Sequence, residues 1–231
     1  DPEGEGTTRA EIVPGEPVQI GAGVTRLTAP NPGMMTGPGT NTYILGRERF
    51  TVLDPGPDHD GHIERLLELT GGVIDQVVVT HTHLDHSPAV ATLKAKTGCR
   101  VFGLPAPDQP GQDRTFCPDD KPEDGDLIVT EAGILKTIHT PGHASNHLCF
   151  VLMDQQLLFS GDHIMQGSTV VINPPDGDMK AYIESLYDLL AEPVQFIAPA
   201  HGFLMGQPGM VIDYLITHRL AREHKIKRAL E

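Results

Sequence analysis

From residue 24 the chain alternates short runs of β-branched, aromatic and aliphatic residues with turn residues: VTRLTAP, then NTYILG, then FTVLDPG, closed by Gly or Pro. This pattern predicts early antiparallel strands. In DGHIERLLELTGG, Ile63, Leu66, Leu67 and Leu69 fall largely on one helical stripe that stops at Gly71, and the apolar run VIDQVVVT after it reads as a buried strand. A second helix is predicted in SPAVATLKAKTG, with Ser87 as its cap, Pro88 at its first position and Gly98 just past its end. Residues 104–125 hold too many Pro, Gly and Asp for regular structure and predict a long surface loop. Strands resume in DLIVTEAG, ILKTIHT, LCFVLMD and QLLFSGD. A helix is expected from about Asp178, where Ile183, Leu186 and Leu190 share a face, then a short strand FIAPA, then a final helical segment that turns from apolar to basic. Two batches of strands, each followed by helices, predict an α+β fold: a four-layer αββα sandwich with two sheets face to face and helices outside.

With 231 residues and no strong linker or internal repeat, the chain suits one domain, expected over residues 19–231. The acidic, Pro- and Gly-rich residues 1–18 are expected to be disordered. Lys and Arg total 17 against 31 Asp and Glu, a formal charge of −14 that repels nucleic acid and anionic membrane unless positive charge is concentrated locally. No apolar run approaches the roughly 20 residues of a membrane helix, so no membrane partner is expected. Cys99, Cys117 and Cys149 are odd in number and widely spaced, which argues against a disulfide framework and for a reducing cytoplasm. Oligomeric state is not written in the sequence.

The segment THTHLDHS, residues 80–87, places His81, His83, Asp85 and His86 together between the predicted buried strand and the following helix. Imidazole nitrogen and carboxylate oxygen are ligands that a borderline metal such as Zn²⁺ prefers. Residues 81 and 83 point the same way along an extended segment and can grip one ion, while Asp85 and His86 lie where the chain turns into the helix. The remaining ligands should sit at other strand ends, and His143 in TPGHASNH, Asp162 in FSGDH and His201 in PAHG meet that requirement. His59, His62, His139, His163, His218 and His224 read instead as surface or satisfied core residues.

HTHLDH, TPGH, SGDH and PAHG in this order resemble the metallo-β-lactamase superfamily of αββα hydrolases, and NPGMMTGPGTNTYILG with HRLARE resembles more narrowly the β-lactamase-like protein 2 family. The resemblance runs from about Val24 to the C-terminus. It implies that His81, His83 and His143 bind one metal, that Asp85, His86 and His201 bind a second, and that Asp162 bridges them. It also implies that Asp54 supports the metal loop from behind. No cysteine takes a metal position, which groups the chain with the glyoxalase-II and RNA-processing branches. His147, four residues past His143, is expected to bond substrate or Asp162. GPGTNTYILG precedes a strand rather than opening a helix, so it is not read as a phosphate cradle; in the resembling family it flanks the groove. Two departures stand out: ASNH replaces the acidic residues often found between the two histidines, and the winged-helix-like domain that commonly follows HRxxRE is not in the sequence given.

The implied cofactors are two Zn²⁺ ions, with Fe or Mn as alternatives. The implied reaction is hydrolysis of an ester, thioester or phosphodiester by a metal-bridging hydroxide, with Asp85, Asp162 and His147 as catalytic side chains. Small-molecule or phosphodiester substrates fit such a centre. RNA is a further partner if Arg219, Arg222, Lys225, Lys227 and Arg228 form a phosphate-binding strip, against which the overall charge counts. The rivals are a single-stranded-RNA endoribonuclease, which the resemblance to the β-lactamase-like protein 2 family implies, a mononuclear iron persulfide dioxygenase and a non-enzymatic metal-stabilised module. The complete second ligand set argues against the iron reading, and retention of every ligand, Asp162 included, argues against the module.

Overall fold

The computed structural model describes residues 11–230. Six strands, β1 (Pro17–Gly21), β2 (Val24–Thr28), β3 (Asn41–Leu45), β4 (Phe50–Leu53), β5 (Ile74–Val78) and β6 (Arg100–Phe102), form the first sheet in sequence order. Its helices are α1 (Asp60–Thr70) and α2 (Ala89–Thr97). The second sheet runs in order β12-β11-β10-β9-β8-β7, from β7 (Leu127–Thr130), β8 (Gly133–His139), β9 (Leu148–Leu152), β10 (Leu157–Gly161), β11 (Phe196–Pro199) and β12 (Met205–Gly206), with helices α3 (Met179–Leu190) and α4 (Pro208–Leu230). The chain crosses from one sheet to the other once, through the long loop between β6 and β7.

Alternation along the strands distributes apolar side chains between two layers. Tyr43, Leu45 and Leu53 of the first sheet meet Leu148, Phe150, Leu152, Leu157 and Phe159 of the second in the central core. The intervening Ile44 and Val52 face Ile63, Leu66 and Leu93 on α1 and α2. Cys149, Val151 and Leu158 face Tyr182, Leu186 and Ile212 on α3 and α4. Strands β3, β9 and β10 are therefore buried along their whole length, and the four αββα layers are present.

The expected disorder through residue 18 divides. Residues 1–10 lie outside the described residues, whereas Ile12 is buried and β1 begins at Pro17. The side chain of Ser87 does not cap α2; its hydroxyl donates to Asp113 at 2.8 Å, and Pro88 holds the cap position without a side-chain bond.

Candidate metal centre

Each candidate ligand follows the carboxyl end of a strand. Val78 ends β5 and the loop 79–88 carries His81, His83, Asp85 and His86; His143 follows β8, Asp162 follows β10 and His201 follows β11. The packing of the two sheets brings these ends together at one rim. At Gly161 (φ 49°) a Cβ would stand 2.6 Å from His147 Nε2 and 2.8 Å from Thr80 Oγ1, so the close approach of β10 to the histidine loop requires glycine.

Two groups of donor atoms result: His81, His83, His143 and Asp162, and beside it Asp85, His86 and His201. His81 Nε2 and His143 Nε2 lie 2.9 and 3.0 Å from His83 Nδ1, and His143 Nε2 lies 3.5 Å from Asp162 Oδ2. In the other group His86 Nε2 and His201 Nε2 lie 3.4 and 3.3 Å from Asp85 Oδ2, and 3.5 and 3.2 Å from Asp162 Oδ1. The two oxygens of Asp162 thus face different groups. For metal–nitrogen bonds near 2.0–2.1 Å, the edge of a tetrahedron is about 3.4 Å, so these separations suit ligands around an ion. His86 Nε2 and Asp162 Oδ1 are buried without a hydrogen-bond partner among the described residues, a costly arrangement that a cation between them relieves.

The outer nitrogens fix the direction of the rings. His143 Nδ1 donates to Val171 O at 2.7 Å and His201 Nδ1 to Gly39 O at 3.3 Å. His86 Nδ1 donates to Asp54 Oδ2 at 3.0 Å. Thr80 spends its hydroxyl proton on Asp54 Oδ2 at 2.7 Å, so its oxygen accepts from His81 Nδ1 at 3.0 Å. Four rings therefore hold an Nδ1 proton outward and turn Nε2 inward, the arrangement that orients metal-binding imidazoles. Asp54, buried and at φ 48°, also accepts Thr80 N at 2.8 Å and supports the whole loop from behind.

Burial opposes charge at His86 and His201, yet neighbouring carboxylates outweigh it: Asp85, Asp162 and Asp54 hold His86 well above the usual histidine range, and Asp162 and Asp85 raise His201 to about 9. Asp85 falls to about 2 despite its burial, through His86 and His201. On the other side burial lowers His83 to about 4, with His143 and His86 adding to it, and lowers His81 well below its usual value. Burial therefore favours neutral rings at His81 and His83, while His86 and His201 hold protons that a divalent cation would displace.

His147 reaches Asp162, one of its two expected partners, through the backbone. It is fully buried beneath Asp162, accepts that residue's backbone N–H on Nε2 at 3.2 Å, and reaches Thr140 Oγ1 from Nδ1 at 2.9 Å. It touches neither the Asp162 carboxylate nor the cavity, and its bond is to the backbone that carries Asp162. His62 bonds Thr42 Oγ1 at 3.0 Å, while buried His163 packs on Tyr182 with neither nitrogen bonded. The basic strip is also interrupted: Arg219 donates to Val170 O and lies over the Tyr182 ring, and Lys227 pairs with Glu223. Sequence reasoning missed Thr40, whose hydroxyl donates to Asp85 Oδ2 at 3.0 Å, and Gln112, whose side chain joins Thr82 to Asp176. The signal for Thr40 was a polar run, TNTY, inside an otherwise apolar strand pattern.

A cavity of about 520 Å³ opens over His83, Asp85, His143, Asp162 and His201. Met35, Leu84, Met165 and Val171 supply apolar wall, Gln112 and Asp176 supply polar wall, and no Lys or Arg lines it among the described residues.

The family model described as "Metallo-beta-lactamase superfamily" matches residues 35–201. A "Beta-lactamase-like protein 2 homolog" of Drosophila melanogaster is 34% identical over 225 residues, covering 90% of this chain and 74% of the relative. An "Atrochrysone carboxyl ACP thioesterase" of Aspergillus chevalieri is 33% identical over 215 residues, covering 90% of this chain and 65% of the relative, so the chain spans just under two thirds of that protein. A beta-lactamase domain protein from Burkholderia ambifaria shares the fold with a TM-score of 0.78 at 19% identity, covering 96% of this chain and 82% of that one. TTHA1623, solved in a di-iron-bound form, gives a TM-score of 0.64 at 27% identity, covering 78% of this chain and 93% of its own.

Proposed function

This chain belongs to the metallo-beta-lactamase superfamily and is a metal-dependent hydrolase, and from that premise we propose that it holds two divalent ions and cleaves acyl esters or thioesters. The observation that carries the dinuclear reading is the division of Asp162: Oδ2 faces His143 and Oδ1 faces His86 and His201. In this reading His81, His83 and His143 hold one ion, Asp85, His86 and His201 the other, and Asp162 sets their separation. Zinc suits the nitrogen-rich donor set, and iron is the alternative suggested by the di-iron form of TTHA1623. Such a pair, when bound, makes water nucleophilic near neutral pH and stabilises negative charge on a substrate oxygen. Asp85 is the more exposed of the two carboxylates and borders the cavity, so it is the group placed to accept a proton from the attacking water.

The walls support the acyl reading of the substrate. Beyond the ligands the cavity offers Met, Leu and Val side chains, neutral polar groups such as Gln112 and Asn173, the carboxylate of Asp176, and among the described residues no cation for a phosphodiester backbone. RNA depends on such cations. Thioesterase-named relatives support an acyl substrate. In the mononuclear persulfide reading, Asp85, His86 and His201 have no ion to hold. With Cys99, Cys117 and Cys149 all free, a reducing cytoplasm suits the chain.

The test is metal analysis of the loaded protein, followed by a panel of acyl thioesters, aryl esters, aryl phosphodiesters and labelled single-stranded RNA. Two ions per chain and fastest turnover of the acyl substrates are expected. One ion per chain overturns the dinuclear reading, and RNA cleavage with a steep salt dependence overturns the substrate assignment.

A further inference from the structure

The segment 31–40, rich in glycine and lying beside the cavity, has no catalytic side chain, yet it reaches two of the three residues of the second ligand group. Thr40 Oγ1 donates to Asp85 Oδ2 at 3.0 Å, and Gly39 O accepts from His201 Nδ1 at 3.3 Å. Thr40 is fully buried while Asp85 sits on the loop between β5 and α2, so the hydroxyl gives the carboxylate a fixed point of attachment on the first sheet.

The direction of that bond is determined by valence. The Thr40 backbone N–H can only donate, and its acceptor at 2.9 Å is the side-chain oxygen of Asn31. The other end of the Asn31 amide is therefore NH₂, and it donates to Thr40 Oγ1, also at 2.9 Å. With that lone pair occupied, the single proton of Thr40 is left for Asp85 Oδ2, the oxygen that faces His86 and His201. Asn31 is held in turn: its carbonyl accepts from Thr36 Oγ1 at 2.6 Å. Gly39, at φ 146°, allows this folding, since a Cβ there would stand 2.0 Å from Ala29 O and 3.0 Å from Asn31 Oδ1.

We propose that Thr40, with its proton directed by Asn31, is the positioning residue that aims Asp85 Oδ2 at the second metal position. The inference rests on the dinuclear reading above. It assigns to Asn31 and Thr40 a role in metal affinity at one position and none at the other, which separates it from a general contribution to folding.

The test is calorimetric titration of the metal-stripped protein with Zn²⁺, resolving the two binding steps, in wild type, Thr40→Val, Thr40→Ser and Asn31→Asp. Thr40→Val keeps the shape and removes the proton; it should weaken the second ion by about tenfold to a hundredfold, the usual effect of losing a partner behind a metal ligand. The first ion should bind as in wild type. Thr40→Ser restores the hydroxyl and should restore the second step. Asn31→Asp keeps the acceptor for Thr40 N but turns the donor to Oγ1 into a competing acceptor, so it should behave like Thr40→Val without altering side-chain size. Wild-type affinity for both ions in Thr40→Val and Asn31→Asp overturns the proposal and leaves the dinuclear reading standing, as does a Thr40→Ser variant no better than a misfolded Thr40→Val. A wild-type chain that takes one ion overturns both.

Discussion

Asp162 has one carboxylate oxygen toward each ligand group, so its removal should be felt unequally by the two ions. The His81, His83 and His143 set retains three imidazoles, whereas Asp85, His86 and His201 lose the oxygen that lies within 3.5 Å of both imidazoles. Asp162→Ala should drop metal content from two ions to one and reduce hydrolysis by roughly a hundredfold or more; mass-spectrometric metal counting beside an acyl-ester assay checks both. All seven clustered side chains were legible because short spacing and strand-end placement constrain them strongly. His147 was not, since its four-residue distance from His143 indicates proximity but not direction. It opens onto β9, and the chain there turns the ring beneath Asp162 instead of toward the cavity. Thr40 was equally hidden: a hydroxyl becomes significant only when the carboxylate it meets, 45 positions later, is folded against it.

At the scale of elements, TNTY shows why a buried polar run demands an explanation. Thr40 reaches Asp85, Asn41 donates to Pro199 O and Gly202 O, Thr42 donates to Asp54 O, and Tyr43 donates to Pro199 O. One end of one strand thereby ties the first sheet to the loop bearing His201. Helix α1 is fastened to the same strand through His62, which meets Thr42 in the interior; burial lowers this ring to about 4, with a backbone bond to Pro55 opposing the fall and His59 adding to it. The folded state therefore prefers the neutral ring, and the stability it confers is present above pH 6.5 and lost as pH falls toward 4. Between pH 7.5 and 5 the loss assigned to this ring is about 2 kcal/mol, and urea unfolding should show His62→Leu losing that much less than wild type over the same interval. The long helices and central strands were legible from periodicity. Strands β1, β6 and β12 were not, because they are edge strands of five, three and two residues, with few apolar positions to mark them.

Across the whole molecule the candidate centre lies where the two sheets meet: His81, His83, Asp85 and His86 come from the first half of the chain, and His143, Asp162 and His201 from the second. Metal held there binds the assembled fold and not the open chain, so it should stabilise it by about 4 kcal/mol per ion at a free concentration of 1,000 times Kd. For a domain of this size that corresponds to about 8–16 °C per ion, and scanning calorimetry with and without a chelator should show a lower melting temperature in the chelator. The formal charge of −14 counts against a polyanionic substrate; on the basic tail Lys227 and Arg219 are engaged, while Arg222, Lys225 and Arg228 stay exposed to offset it.

The single crossing between the sheets also orders events in time. A ribosome delivers β1 to β6 before any residue of the second sheet exists, and that portion carries both histidines of THTH and the Asp85–His86 pair without His143, Asp162 or His201. Neither ligand group is complete in the emerging half. Both groups are therefore completed only once the strand ends of the second sheet meet the first, and assembly of the site waits on the docking of β11.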